Sequence, residues 1–302
     1  MTHMHRARSV LCATILVLAI CGCSAPQNTI VIGSKNFPEQ AILGELLAQQ
    51  IEAKTSLHVE RRFYLSGTYI CHQALLAGRI DMYVEYTGTA LTAILKEQPD
   101  KDPLAVFNRV RDEYARRFHL IVEPPLGFND SFAIVIRGDD ARRESIHTIS
   151  QSVRFALSWR PAFGYEFIER PDGYDGLRKT YGLKFSGEPR IMDLNLLYRA
   201  LLSHQVDVIA GNTTDGQLLT NDFTVLEDDK HYFPPYQAVT IVRERTLSEY
   251  PTVTTALASL QGRVSDRDMQ LMNYEVVAQH KDMAVVVREF LHSAKFNSEK
   301  TQ

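Results

Sequence analysis

A chain of 302 residues, 45% hydrophobic and 23% charged, has the composition of a folded globular protein and about twice the length of a typical domain. Its formal net charge of −3 argues against a nucleic-acid partner gripped through phosphates. The basic residues within 109–117 and at Arg142 and Arg143 are interleaved with acids, which reads as solvated helix faces.

Residues 1–23 read as a signal peptide. Arg6 and Arg8 precede an apolar run over residues 10–20 that is too short to span a bilayer comfortably. The run ends in Ile20-Cys21-Gly22-Cys23-Ser24, and small residues before a cysteine resemble the lipobox of bacterial lipoproteins. Cys23, preceded by Gly22, is the expected lipidation site, with an ordinary signal peptide as the alternative. Residues 24–28 follow as a short tether. Of the four cysteines only Cys71 lies beyond this region, which leaves no pair for a disulfide and no cysteine cluster for a metal. A lone Cys71 reads as a small buried hydrophobe rather than a nucleophile. No later segment has transmembrane length, so a soluble protein on a lipid anchor is expected.

The mature chain opens with a short apolar strand, TIVIG, at residues 29–33. Pro38 then suits the first position of a helix reaching about Lys54, with Ile42, Leu46, Leu47 and Ile51 at helical spacing and Ser34 or Asn36 as the cap. Lys35 beside that helix start is either part of an anion site or a solvated lysine next to a plain cap. A strand at 57–63, a helix from Thr68 to Ala77 ending at Gly78, and a buried strand from Ile80 complete a strand–helix alternation typical of an open parallel α/β sheet. That last strand runs into the polar turn Glu85-Tyr86-Thr87-Gly88-Thr89, a rigid ring face beside small hydrogen-bonding groups.

Further on, a helix near 103–119 leads to a strand at 120–123, and the breaker-rich segment 124–130 delivers Phe132 into a strand at 133–137. Strands are expected at 154–158, around Lys184 and Phe185, at 206–210 and at 238–243. Helices are expected from Pro161 through Glu169, over 174–181, from Leu194 to Ser203 with Asp193 as its cap, and over most of the chain to about Lys295.

The chain also carries a weak internal repeat. ALLAGRIDMYVEYTGT (74–89) aligns with ALLSHQVDVIAGNTTD (200–215), and the entry of Phe132 into AIVIR echoes that of Tyr236 into AVTIVR. Two similar α/β lobes joined by two crossing segments is the simplest geometry for this, although two unrelated βα units also look alike at this level. Tyr86 and Asn212 would then sit at the carboxyl ends of equivalent strands, where open α/β sheets bind ligands.

No HExxH, P-loop, GxSxG or paired-histidine spacing is present, and His72, His204 and His231 read as surface or helix-face residues. Catalysis is therefore not expected, nor any cofactor. Binding fits better. Tyr86, Phe132 and Tyr236 fall at strand ends or crossings, and aromatic faces attract quaternary ammonium groups through the ring quadrupole. Lys35 and Arg170 suit a carboxylate, and Asp130 adds negative charge near the cationic end.

These residues bring out a resemblance. IVIGSKNFPEQ (30–40), IDMYVEYTGT (80–89), GFNDSFAIVIR (127–137), ERPDGYDGL (169–177), the TTDG turn (213–216) and LEDDKHYFPPYQAV (226–239) resemble, in order, the substrate-binding lipoproteins of osmoprotectant ABC importers, which take glycine betaine, carnitine and choline. The resemblance implies a two-lobed type II periplasmic-binding-protein fold, with residues 29–131 and 236–302 forming one lobe and 132–235 the other. It implies Tyr86, Phe132 and Tyr236 as walls of an aromatic cage, Lys35, Thr89 and Arg170 as carboxylate grips, and Asp130 beside the cage. Asn212 stands where betaine-binding members tend to carry another aromatic. The implied setting is extracytoplasmic, with a quaternary amine as ligand, a membrane permease as partner and a lipid anchor at Cys23. A different betaine such as ergothioneine, or an amino acid, remains an alternative ligand, as does an enzyme or sensor on the same fold using Cys71 or Glu85.

Overall fold

The computed structural model describes residues 28–220, 222–293 and 296, so the signal region, Cys23 and the greater part of the tether lie outside it. Two five-stranded sheets dominate. The first is built from β1 (Thr29–Lys35), β2 (His58–Ser66), β3 (Met82–Tyr86), β4 (Leu120–Val122) and β10 (Ala238–Arg243). The second uses β5 (Phe132–Arg137), β6 (Pro161–Phe163), β7 (Arg190–Ile191), β8 (Val208–Asn212) and β9 (Phe223–Leu226). The helices that bear on the sheets and the cleft are α1 (Pro38–Lys54), α2 (Thr68–Leu76), α3 (Pro103–Phe118), α4 (Tyr165–Glu169), α5 (Tyr174–Tyr181), α6 (Leu194–Leu202), α7 (Asp266–Val277) and α8 (Met283–His292).

The strand orders are β2-β1-β3-β10-β4 and β7-β6-β8-β5-β9. Each sheet is mixed rather than parallel throughout. Three strands run parallel, and the strand next to them, β10 or β5, is antiparallel because it enters by a crossing segment from the other sheet. The sequence repeat matches this symmetry. Asp81 and Asp207 occupy the same place: the backbone N–H of Asp81 donates to the Val31 carbonyl while its carboxylate accepts from Val31 N–H, and Asp207 does the same with Arg160. An aspartate one residue before the strand thus closes the ladder on both sides.

Both faces of each sheet are covered. Ile30, Ile32, Met82, Val84 and Tyr86 pack with α1 on one face of the first sheet. Ile80, Tyr83, Val239 and Ile241 pack with α3 on the other. Because β3 is covered on both faces, all five of its residues are buried and it reads as a continuous apolar run with one acid.

Several local expectations change. The N-cap of α1 is Phe37, without a side-chain cap; Ser34 instead accepts from the Tyr64 N–H at 2.9 Å, tying β1 to β2. Residues 154–158 form turns and a short 3-10 segment, and the strand falls at Pro161, which needs no N–H at a strand's first position and pairs with Val208. The helix expected from Pro161 begins only at Tyr165. Lys184 and Phe185 are irregular: Phe185 packs its ring against Phe163 and Tyr174, and Arg190–Ile191 supplies the edge strand. Strand β9 is an addition. His72 is not on the surface but buried edge-on against Tyr114 and Phe118, where loss of solvent lowers its pKa to about 4.

Candidate binding cleft

The chain passes between the sheets twice, just before β5 and just before β10, and the crossings brace each other. Asp130 N–H donates to the Tyr236 carbonyl, and Tyr236 N–H donates to the Asn129 side chain at 2.6 Å. This fixes the registers that place Tyr86 opposite Ala238 and Phe132 opposite Asn212. Beyond these strand ends lies a cleft of about 810 Å³, lined from both sides. Lys35, Tyr86, Thr89, Asp130, Phe132, Arg170, Asn212 and Tyr236 all line it.

The turn after Tyr86 is helical: Thr87–Thr89 lead into a wide turn at Ala90–Ile94. Gly88 is required there, because a Cβ would come within 2.7 Å of the Pro235 carbonyl and 2.8 Å of the Tyr236 ring. The glycine lets the first strand end press against the second crossing, bringing Thr89 and Tyr236 to one wall.

Phe132 and Tyr236 form an edge-to-face corner, with centroids 5.6 Å apart and planes at 77°. Phe167, at 4.8 Å, supports Phe132 from behind. Against this corner lies the Arg170 guanidinium, 5.0 Å from the Phe132 centroid and 5.5 Å from that of Tyr236. Arg170 forks onto Asp172 at 2.9 and 2.5 Å, and donates to Thr89 Oγ1 across the cleft at 2.8 Å. The Tyr236 hydroxyl donates to the same aspartate at 2.6 Å. Burial alone would raise the Asp172 pKa, but the Arg170 charge and these hydrogen bonds outweigh it and hold the carboxyl below its usual range.

The Tyr86 side is arranged differently. Lys35 lies 4.5 Å from the Tyr86 centroid, but its ammonium is already bonded to the buried Glu85 carboxylate at 2.6 Å. Both cations of the cleft are thus paired with a buried carboxylate; Arg170 differs in that the bonds above use three of its five N–H donors. The Tyr86 hydroxyl donates to Glu39, at the start of α1. Thr214 bridges Glu39 and Asp130, and Asn273 of α7 donates to Glu39 at 2.7 Å. Burial raises the pKa of Glu39, Asp130 and Asp215, and the neighbouring carboxyls Glu39 and Asp215 push Asp130 further up. No basic side chain is bonded to any of the three among the described residues. The result is an aromatic corner backed on one side by a paired charge and on the other by carboxyls without a cation.

Residue types alone did not single out Asp172, Glu39, Thr214 or Glu166. The first three stand inside the quoted ERPDGYDGL, NFPEQ and TTDG stretches, and an acid two residues after an arginine in a non-helical segment is the one local signal available. Cys71 is fully buried, and desolvation pushes its thiol up to about 12, so it is no nucleophile. Among the described residues no group of histidine, cysteine and acid side chains is suited to a metal.

A family model described as the substrate binding domain of ABC-type glycine betaine transport systems matches residues 28–293. The ergothioneine transport permease/ergothioneine binding protein EgtU of Helicobacter pylori is 34% identical over 88% of this chain. The chain spans about half of that protein, 47% of its length. The carnitine transport binding protein OpuCC of Listeria monocytogenes is 32% identical, with 92% of this chain and 93% of that one covered. A crystal structure titled glycine betaine/carnitine/choline ABC transporter superimposes with a TM-score of 0.75 at 31% identity, covering 88% of this chain and 99% of the other. The two mixed sheets with a cleft between them are the type II periplasmic-binding-protein fold. The chain belongs to the substrate-binding domain family of ABC-type glycine betaine transport systems, solute-binding proteins rather than enzymes.

Proposed function

We propose that this chain captures a quaternary ammonium compound of the glycine betaine type between its two sheets and delivers it to a membrane permease. The observation that carries this reading is the convergence of Tyr86, Phe132 and Tyr236 on one cleft, with Phe132 and Tyr236 in an edge-to-face corner whose ring faces attract cations. In this reading the trimethylammonium head lies among Tyr86, Phe132 and Tyr236. The ligand carboxylate meets Arg170 and Thr89. Asp130 supplies negative charge beneath the head, and a bound cation stabilises its ionised form.

Residues 29–131 with 236–302 form one lobe and 132–235 the other, closing by rotation about the paired crossings at Asp130 and Tyr236. Cys23 carries the lipid that holds the protein outside the cytoplasmic membrane. Among the described residues no helix is long and apolar enough to cross a membrane. A second reading, a betaine with a polar heterocycle such as ergothioneine, is favoured by Asn212, which leaves one side of the cage without a ring.

Calorimetry with glycine betaine, carnitine, choline, proline betaine and ergothioneine tests the proposal. At least one is expected to bind, and Tyr86→Ala and Tyr236→Ala are each expected to lose that binding while keeping a cooperative thermal transition. No heat with any of the five, or normal binding by either variant, overturns it.

A further inference from the structure

Arg170 and Asp172 stand in a short link, Arg170 to Gly173, between α4 and α5. Within it, Arg170 N–H donates to the Glu166 carbonyl and Gly173 N–H to the Arg170 carbonyl, both at 3.0 Å. The second crossing, just before β10, grips this link at two points. The Tyr236 hydroxyl holds the Asp172 carboxylate from the cleft side at 2.6 Å. Four residues earlier on the same segment, the Tyr232 hydroxyl lies 3.3 Å from the Pro171 carbonyl and 3.2 Å from the Gly173 carbonyl. Its one proton is shared between the two carbonyls that flank Asp172.

Tyr232 is itself held from several directions. The Asp228 carboxylate accepts from the backbone N–H groups of Tyr232 and Phe233, each at 2.9 Å, and from the Tyr181 hydroxyl of α5. The Tyr232 ring meets Phe233 edge-on at 5.1 Å, and Phe233 lies 5.7 Å from the cage ring Phe132. Gly176 of α5 makes room for the hydroxyl, because a Cβ there would lie 2.0 Å from the Tyr232 oxygen. Loss of solvent, then the charge of Asp172, raises the Tyr232 pKa, so the hydroxyl keeps the proton it donates. Tyr232 is not among the residues that line the cleft. The cage wall Tyr236 and the link that bears Arg170 nevertheless hang on one strap, residues 228–236.

We propose that Tyr232 is a positioning residue for Arg170: by tying the 170–173 link to the second crossing, it sets the distance from the aromatic cage to the guanidinium and so the spacing of cation and carboxylate that the site prefers. The inference rests on the cage reading, with Arg170 as partner of the ligand carboxylate. Side chains that face a ligand hold their geometry only as well as the groups behind them do. Without the Tyr232 hydroxyl, the link keeps its bond to Tyr236 but can pivot about it, and Arg170 moves relative to the cage while the cage stays intact.

Tyr232→Phe removes the hydroxyl and keeps the ring. In the ligand-free protein, hydrogen exchange of the Arg170 Nε–H, identified by its loss in Arg170→Lys, is followed by NMR. The variant is expected to speed that exchange at least threefold while leaving the backbone amides of β5 and β8 unchanged. Calorimetry then compares glycine betaine, γ-butyrobetaine, which has a longer arm between its charges, and choline, which has no carboxylate. The better-bound of the two zwitterions should weaken about threefold to tenfold, the range of a single hydrogen bond, and the preference between them should flatten. Choline should change less than twofold. Unchanged Nε–H exchange, no loss with any ligand, or an equal loss with every ligand that binds overturns the inference and leaves the cage standing. If none of the three binds the wild-type protein, the cage reading fails by itself, and the Nε–H exchange decides whether Tyr232 holds Arg170.

Discussion

Two regions of the cleft, each holding buried acids, are finished with different electrostatics. On one side Arg170, Asp172 and Tyr236 form a closed set in which the buried charges are matched at 2.5–2.9 Å. On the other, Glu39, Asp130 and Asp215 share hydroxyl and amide donors but no cation. The first arrangement is complete without a ligand and costs stability if broken. The second is incomplete, with each pKa raised by burial, and gains from a positive charge brought in from outside. The difference in role comes from which counter-charge the chain supplies.

The sharpest way to break the comparison is Asp172→Ala, which strands the Arg170 guanidinium at 9% exposure. Removing one partner of a buried ion pair costs about 3–5 kcal/mol. Denaturant titration is expected to show a loss of that size. The double variant Arg170→Met/Asp172→Leu should recover most of it while still failing to grip a carboxylate. A stable Asp172→Ala protein would show that the pair is not the structural element described here.

Asp130→Asn should behave in the opposite sense. Burial, then repulsion from Glu39 and Asp215, holds the Asp130 carboxyl protonated well above its usual range in the folded chain. The unfolded chain releases that proton at ordinary carboxylate pH. Stability from this group is therefore full below the ordinary carboxylate pKa and is lost as pH rises toward the folded value. Asparagine keeps an acceptor for Thr214 without a proton to lose. Asp130→Asn is accordingly expected to be as stable as the wild type or more so at neutral pH, with a flatter decline from pH 4 upward, yet weaker in binding a quaternary cation. Parallel pH profiles for the two proteins would remove Asp130 from the account.

The contrast between the two sides also marks what the sequence made legible. Apolar periodicity placed β3, β10, α1 and α5 well, because each is a long or continuous signal bounded by Pro or Gly. The repeat of Asp81 and Asp207 carried the symmetry, since both aspartates do the same ladder-closing work. Periodicity failed at residues 154–169 and 184–191, where two short strands and two short helical segments gain their definition from packing: Phe185 serves the core without being in a strand, and a two-residue strand has no period to read. At the site, the aromatic walls and Arg170 were visible as residue types at turns. Their partners Glu39 and Thr214 were not, because those pairings span 47 to 175 residues; Asp172, only two residues from Arg170, left a single local signal, and nothing local showed that Lys35 is neutralised by Glu85.

The smallest expected effect concerns a bond that joins the two sides at the cleft mouth. Glu166 of α4 accepts from the Thr68 N–H at 2.8 Å, capping the first turn of α2 from across the cleft. Gly67 makes this possible, because a Cβ there would lie 2.2 Å from the Glu166 carboxylate oxygen. A carboxylate at a helix N-terminus contributes about 0.3–1 kcal/mol where it is exposed to solvent, and more when partly buried. The bond is absent from any state in which the two sides part, so it contributes to closure and not to the stability of either sheet. Glu166→Ala should leave the unliganded denaturation midpoint nearly unchanged and weaken ligand binding a few-fold, mostly through faster dissociation. Gly67→Ala should do the same by pushing the carboxylate away, and the two variants combined should be no worse than either alone. Additive losses would mean that Gly67 and Glu166 act through separate contacts.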